Sequence, residues 1–356
     1  MALTTTSGTE AVLKGVDLGG LIREDVMNKI WDISKIPLPF TDSISSDSCK
    51  QSYTEWTNDK LQAQNLSNAV SEGKDGTWTD NTAAGERVGN HCQISVKYVP
   101  VSERAQNSDT IGRSNELAYQ VMRRQQELRR DVEGIMLTQQ ASLADTGSVA
   151  GTAGAFGAWL VGDAATTPAD AGETYFAGTG GSSTGFNFTT GVVDTITAGT
   201  VRALTETLVR DAVESCYNKG GNPTKLMSTP AVIRKLSEYM FTSSARIGTI
   251  MSDQGKSEAK ASALGAVNVF VSDFGTLTFV PNRLQPLYNT ATAAQVFVYD
   301  PEYVRQAFLD GYQTQPLAKT GLLDKRLMSV DWTLKVLNPE AHAIIADIDP
   351  TTAVTA

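Results

Sequence analysis

The chain has 356 residues, enough for about two folded domains at a prior of roughly 150 residues each. Its hydrophobic content of 41% and charged content of 19% are ordinary for a globular protein and exclude general disorder. The formal net charge of −9 at pH 7 repels polyanions, so a broad basic surface for binding DNA or RNA is excluded.

Residues 1–50 are predicted to form an extended arm. Thr-, Ser- and Gly-rich ends flank one short amphipathic stretch, residues 21–33, and two prolines hold the segment Lys35–Phe40 extended. Because this arm has too little apolar surface to fold alone, we expect it to lie on another surface. The contact residues that we predict there are Pro37 and Phe40.

Residues 51–101 are predicted to form a long hairpin with little core of its own. Its outgoing strand carries Tyr53 and Trp56, and residues 62–90 form a polar connection that contains several glycines. Its return strand alternates apolar with polar residues in a period of two, and the apolar ones are Cys92, Ile94, Val96 and Tyr98. Such a ribbon is marginal in water, so it needs a partner surface on its own body or on a neighbouring subunit. The predicted inter-subunit contacts are Tyr53, Trp56, Ile94, Val96, Tyr98, Pro37 and Phe40.

Residues 114–140 are predicted to form the longest helix, a spine about 40 Å long at roughly 1.5 Å per residue. One face carries apolar residues at helical spacing, namely Leu117, Val121, Leu128, Val132 and Ile135. Ser114 is the predicted N-cap, and opposite charges such as Arg129 and Glu133 lie one turn apart. The arginines are interleaved with acids, which favours an ion-paired helix face over a nucleic-acid site. Gly134 is the predicted hinge, since glycine weakens a helix interior by about 1 kcal/mol relative to alanine.

The second half of the chain mixes helices with strands. After a Gly- and Ala-rich stretch, an apolar stripe predicts a helix over residues 201–216, and Thr229-Pro230 begins another helix. The predicted strands are residues 225–228, 267–271, 277–279, 295–299, 327–337 and 341–348. We expect the last two to pair as a hairpin. No βαβ rhythm is present, so the predicted fold class is α+β.

The short motifs that resemble catalytic or binding signatures are incomplete. Asp145-Thr146-Gly147-Ser148 matches the signature of aspartic peptidases, but that reaction needs two such carboxylates and the chain has one copy, which favours a turn. Gly255-Lys256-Ser257 imitates the end of a P-loop without its first glycine. Neither His91 nor His342 has a second ligand at helical spacing, and no Cys-x-x-Cys pair occurs among the three cysteines. We therefore predict no metal site, no cofactor and no disulfide framework.

The order of arm, two-stranded loop, spine helix and mixed body resembles the major capsid proteins of tailed bacteriophages with the Hong Kong 97 fold. The resemblance runs from about residue 20 to residue 348, and its specificity lies in the order and spacing of several stretches. These stretches are residues 55–61, 90–102, 116–137, 157–160, 272–283, 318–321 and 333–342.

The resemblance implies the parts of a capsid subunit. They are an N-terminal arm (1–50), an E-loop hairpin (51–101), a peripheral domain with the spine helix (102–190), an axial domain (191–315), and strands that return to the peripheral domain (316–356). It also implies a structural function without enzymatic activity: self-assembly, through pentamers and hexamers, into the icosahedral head that encloses double-stranded DNA.

The resemblance also implies partners and a location. The chain lacks the N-terminal scaffolding segment of some relatives, so a separate scaffolding protein is expected, with a portal and, optionally, cement proteins. No secretory signal and no apolar run of about 20 residues is visible, which predicts synthesis in the host bacterial cytoplasm and no membrane contact. The mature location would be the virion capsid.

The sequence leaves two other functions open. An encapsulin-like compartment shell shares the fold, and an aspartic peptidase using Asp145 is a remote alternative. Some relatives carry a covalent Lys–Asn cross-link; Lys60 and Lys74 lie in the E-loop, but the sequence identifies no acceptor asparagine.

Overall fold

The computed structural model describes residues 37–61, 64–73, 85–108, 115–163, 173–242, 269–288, 292–319 and 321–354. Several predicted features lie outside these residues: the amphipathic stretch 21–33, the Ser114 cap, Lys74 and the Gly255-Lys256-Ser257 motif. The described residues form two main β-sheets, with one long helix on the first and two shorter helices on the second.

Helices and strands alternate irregularly along the chain, which confirms the α+β class. The helices are α1 (Glu103–Asn107), α2 (Glu116–Met136), α3 (Glu206–Asn218) and α4 (Pro230–Thr242). The strands are β1 (Ser45–Ser48), β2 (Tyr53–Asn58), β3 (Glu86–His91), β4 (Gln93–Ser102), β5 (Gly162–Asp163), β6 (Tyr175–Phe176), β7 (Ser182–Ser183), β8 (Phe186–Asn187), β9 (Val192–Val193), β10 (Lys225–Ser228), β11 (Val269–Ser272), β12 (Gly275–Pro281), β13 (Ala294–Tyr299), β14 (Val304–Pro316), β15 (Leu323–Val336) and β16 (Ala343–Ile348).

The first sheet has four strands in the order β1-β14-β15-β4. β1 runs parallel to β14, and the other neighbours are antiparallel. The buried face of β15 is the predicted one, with Met328, Val330, Trp332, Leu334 and Val336 in the core. Strand β14 was not predicted from the sequence, because beyond Phe308 the strand is mostly polar and its register shifts twice against β15.

The second sheet has six strands in the order β11-β12-β10-β13-β16-β6. The predicted hairpin between residues 327–337 and 341–348 is wrong, because β16 pairs with β13 and β6 in this sheet. A 3-10 turn at Pro339–Ala341 redirects the chain, and the wholly buried β16 follows it. All six residues of β13 are buried as well, so these two central strands carry no amphipathic pattern from which their pairing could be read.

Helix α2 is the predicted spine, with shorter bounds than expected. It begins after Asn115, whose side chain caps the helix by accepting a hydrogen bond from the Ala118 N–H at 3.0 Å. It ends at Met136 rather than at residue 140. The predicted stripe packs as expected, with Leu128 and Val132 fully buried against β4, β15 and the segment around Phe156.

The predicted hairpin is present, with a different return strand. β2 pairs antiparallel with β3, from Tyr53 opposite His91 to Asn58 opposite Glu86. Of the predicted return strand, residues 93–98 belong instead to β4 and pair with β15 in the four-stranded sheet. The chain therefore passes from the hairpin into the body one residue after β3 ends.

The alternating pattern of β4 predicts that its apolar residues face the core, but over residues 93–98 the polar residues face the core instead. Its inner face carries Gln93, Ser95 and Lys97, followed by Val99 and Val101. Each of the three polar side chains finds a polar partner: the Gln140 amide at 2.9 Å, the Trp332 indole N–H at 3.1 Å, and the Asp131 carboxylate at 2.5 Å. These partners remove the desolvation cost that normally keeps polar residues outward.

Leu128→Ala is expected to destabilise the fold by about 2–5 kcal/mol, because the truncation leaves a cavity between α2 and the four-stranded sheet. Met122→Ala is the matched control on the same helix; this side chain is half exposed, and its loss should change the free energy of unfolding by less than about 0.5 kcal/mol. Urea unfolding of the dissociated subunits measures both. Equal effects of the two substitutions would contradict the described packing.

Candidate inter-subunit surfaces

The outer face of the four-stranded sheet brings three of the predicted contact residues together. Ile94, Val96 and Tyr98 project from β4 away from α2, with exposed fractions of 61%, 41% and 64%. Leu327 lies directly opposite Tyr98 on β15 and extends this apolar surface. We call the group Ile94, Val96, Tyr98 and Leu327 the outer patch. A continuous exposed apolar group on a sheet face is typical of an interaction surface.

The other end of the same face is acidic. Asp331 lies opposite Ile94 on one side and opposite Asp310 on the other. Burial, and then the neighbouring charge of Asp310, raises the pKa of the Asp331 carboxyl. A partner that covers this face therefore meets an apolar end and an acidic end.

Tyr53 and Trp56, also predicted contacts, are half-buried by their own chain at the base of the E-loop. The Tyr53 hydroxyl donates to the Gly191 carbonyl at 2.5 Å, and its ring lies 4.6 Å from that of His91. Burial raises the pKa of this tyrosine. The Trp56 ring lies 5.3 Å from the Trp159 ring and packs on the main core. The base of the loop is thus fixed to the body of one chain.

The part of the E-loop that follows β2 exposes aliphatic residues that were not predicted as inter-subunit contacts. Leu61, Leu66 and Val70 are almost fully exposed in the described residues. They are scattered among polar residues without periodicity, so no strand or helix pattern identified them. Lys60, one of the two cross-link candidates, forms an ion pair with Glu340 at 2.6 Å.

The described end of the arm is buried in the body rather than free. Phe40 has no exposed surface and packs between the rings of Phe156 and Tyr299, each at 5.6 Å between centroids. It therefore serves the core of its own chain and is not available to a neighbour, contrary to its prediction as an inter-subunit contact. Pro37 is exposed.

Glu133 is the anchor that fixes the end of the arm. Its carboxylate accepts the backbone N–H groups of Phe40 and Thr41, both at 3.3 Å, and the Asn282 amide at 2.9 Å. Burial raises the pKa of this carboxyl, and the three hydrogen bonds counteract the rise. Because Asn282 follows β12, one side chain of α2 connects the arm, the spine and the six-stranded sheet.

The predicted pairing of Glu133 with Arg129 is wrong. The Arg129 guanidinium lies over the Tyr312 ring at 5.2 Å, while Glu133 points into the core. The only sequence signal was that Glu133 adjoins Val132 of the apolar stripe. The neighbouring Gly134 has a regular helical backbone, and a methyl group added there would meet the Leu284 carbonyl at 3.8 Å, an ordinary contact. Its role as a hinge stays a prediction.

The candidate chemical motifs form no reactive arrangement in the part of the chain that the structure describes. Asp145 lies in an exposed loop, where its carboxylate accepts the Gly147 N–H at 2.7 Å, so the predicted turn is present. His342 is fully buried and accepts the Asp300 N–H at 3.2 Å, and burial lowers its pKa to about 3. No group of three potential metal ligands is found among the described residues. None of the described helices is long and apolar enough to cross a membrane.

Comparisons with known proteins give a consistent result. A family model described as SU10 major capsid protein matches residues 3–349. The major capsid protein of Escherichia phage Phieco32 is 32% identical over 117 residues. This match covers 32% of this chain and 32% of that relative's length.

Solved structures match over nearly the whole chain. The capsid of a native GTA particle superposes with a TM-score of 0.55 at 11% identity, covering 98% of this chain and 99% of that chain. The capsid of the cyanophage P-SCSP1u gives 0.54 at 14% identity, with the same coverage of 98% and 99%. At these identities the likeness shows the fold alone, and it confirms the predicted Hong Kong 97 fold.

Glu133→Ala is expected to destabilise the chain by about 3 kcal/mol, because two backbone N–H groups and one amide lose a buried acceptor. Glu127→Ala is the matched control: it removes a partly exposed ion pair with Arg124 on the same helix and should cost less than about 1 kcal/mol. Denaturant unfolding compares the two, and a Glu133→Ala effect no larger than that of the control would contradict the anchor.

The same carboxyl predicts a pH dependence. Its folded-state pKa is raised above the usual value of 4.5, so its contribution to stability is full below that value and is lost as pH rises through the folded-state pKa. Glu133→Gln removes this titration. Relative to Glu133→Gln, the wild type should therefore lose unfolding free energy as pH rises above 4.5. A difference between the two that does not change with pH would contradict the raised pKa.

Proposed function

The chain belongs to the SU10 major capsid protein family, and on this premise we propose that its copies assemble into the closed icosahedral head of a tailed bacteriophage around double-stranded DNA. The observation that carries the proposal is the family match across residues 3–349, which leaves little of the chain outside the capsid fold. The protein is thus a structural component of a virion capsid. The finer points below concern its contacts and partners.

The main contact that we propose is between the outer patch of one copy and the E-loop of the next. Ile94, Val96 and Tyr98 of the outer patch are exposed, and Leu61, Leu66 and Val70 of the E-loop are apolar and largely exposed. Each surface is unfavourable in water alone, and the two match in chemistry. Pro37 would add a contact from the arm, whereas Tyr53 and Trp56 would support the loop from within its own chain.

Symmetry makes such a contact cooperative. If every copy donates one E-loop and offers one outer patch, the contacts repeat around closed pentamers and hexamers. Each contact can then be weak while the shell is stable, because many identical contacts act together. The proposed parts remain an arm (1–50), an E-loop (51–101), a peripheral domain (102–190), an axial domain (191–315) and returning strands (316–356).

The proposed partners follow from the capsid function. A separate scaffolding protein, a portal and optional cement proteins would act with the chain, which is made in the host bacterial cytoplasm. The net charge of −9 suits a wall that encloses DNA without binding a specific sequence. The proposed role is structural, without peptidase activity; Asp145 lies in an exposed turn, where its carboxylate accepts the Gly147 N–H.

Tyr98→Asp is expected to prevent shell formation while leaving the subunit folded, because it places a charge in the outer patch where the neighbouring E-loop would lie. Tyr98→Phe is the matched control, since it keeps the ring and should still assemble. The chain is expressed with its neighbouring gene products and inspected by electron microscopy, and urea unfolding confirms that each variant is folded.

Closed shells from wild type and Tyr98→Phe, with folded but unassembled Tyr98→Asp, are the expected result. Normal shells from Tyr98→Asp would contradict the proposed contact. A wild type that stays a monomer under every condition would contradict the shell itself. Small empty shells formed by the chain alone, without any neighbouring gene product, would favour the encapsulin-like alternative.

A further inference from the structure

Two cysteines that are remote in sequence meet in the structure. Cys49 follows β1 and Cys92 precedes β4, 43 positions apart, yet their Sγ atoms lie 3.7 Å from each other. β1 and β4 are the two edge strands of the four-stranded sheet. The sequence predicted no disulfide framework for its three cysteines, which are far apart along the chain. The fold places two of them in contact, whereas Cys216 lies on the buried face of α3.

The backbone around both cysteines is held in place. The Cys49 N–H donates to the Phe308 carbonyl at 3.0 Å, and the Cys92 N–H donates to the Ser52 carbonyl at 2.7 Å. Both thiols are free, and a disulfide needs the sulfurs to approach from 3.7 Å to about 2.05 Å. The two sulfurs are therefore within about 1.7 Å of bonding distance.

A small reagent can reach the pair. Cys92 is partly exposed, and Cys49 lines a cavity of about 440 Å³ that Tyr53, Trp56 and Arg87 also line. Cys92 is thus the thiol that a reagent meets first, and Cys49 is the thiol positioned to attack next.

We propose that Cys49 and Cys92 are an oxidation site that closes to an intrachain disulfide with a small-molecule disulfide of the glutathione class. The Cys92 thiolate attacks one sulfur of the reagent, which forms a mixed disulfide and releases one thiolate. The Cys49 thiolate then attacks Cys92 Sγ, which forms the Cys49–Cys92 bond and releases the second thiolate. Two protein thiols lose two electrons and two protons, and one reagent disulfide becomes two thiols.

This bond clamps the arm strand to the base of the E-loop. It joins the chain just after β1 to the chain just before β4, and so closes a loop that contains the whole β2–β3 hairpin. Within the proposed capsid function, on which this consequence rests, only hydrogen bonds and packing hold the two segments together while the thiols are reduced in a reducing cytoplasm. The segments become covalently joined when the particle meets an oxidising medium. Formation of the bond itself does not depend on assembly.

The test treats dissociated wild-type chain with oxidised glutathione at pH 8.5. Burial and the neighbouring Cys49 raise the pKa of the Cys92 thiol to about 12, so the thiol is still mostly protonated at pH 8.5, but its thiolate fraction is larger there than at neutral pH. Alkylation and peptide mass spectrometry then map each cysteine. The expected result is a Cys49–Cys92 cross-linked peptide with Cys216 unmodified, and a melting temperature about 5 °C above that of the reduced chain.

Two variants act as controls. Cys92→Ser should abolish both the cross-link and the melting shift, whereas Cys216→Ala should keep both. Glutathione retained on Cys92 without closure, or no cross-link although the unfolded chain is oxidised, would overturn the proposal. A cross-link without any rise in melting temperature would overturn the clamp. All readouts use the dissociated chain, so failure of shell assembly would not be mistaken for failure of this site.

Discussion

One helix laid on a four-stranded sheet covers only one of its two faces, and this constraint governs the whole subunit. Helix α2 covers the face from which Trp332 projects. The polar side chains of β4 point to the same face because each has a polar partner there. Ile94, Val96 and Tyr98 must then point outward. Covering a side chain of this kind stabilises by about 1.5–3 kcal/mol, which is the gain that the proposed contact with a neighbouring copy would provide at every repeat.

A second element of the structure keeps its parts in register. Glu133 reaches from α2 to the end of the arm and to Asn282 beside the six-stranded sheet. A buried carboxyl is costly unless all its acceptor positions are used, which makes the site sensitive to any displacement of its three neighbours. Glu133 thus connects the arm, the spine and the six-stranded sheet within a single copy.

The sequence predicted those elements whose burial is one-sided and regular. The α2 stripe and the inner face of β15 follow period rules, and the family resemblance gave the fold. The orientation of β4 was not predictable, because Ser95 and its polar neighbours are inward only by virtue of partners on remote elements. Glu133 was read as a surface ion pair for the same reason. The contact of Cys49 with Cys92 depends on the course of three strands, which no local pattern records.

The most direct measurement is hydroxyl-radical footprinting of Tyr98 in dissociated subunits and in assembled shells. Tyr98 is 64% exposed in the single chain, and Tyr175, which is fully buried, gives the level of a protected ring within the same sample. We expect strong labelling of Tyr98 in subunits and a fall to the level of Tyr175 in shells. Equal labelling of Tyr98 in both states would contradict the claim that a second copy covers the outer patch.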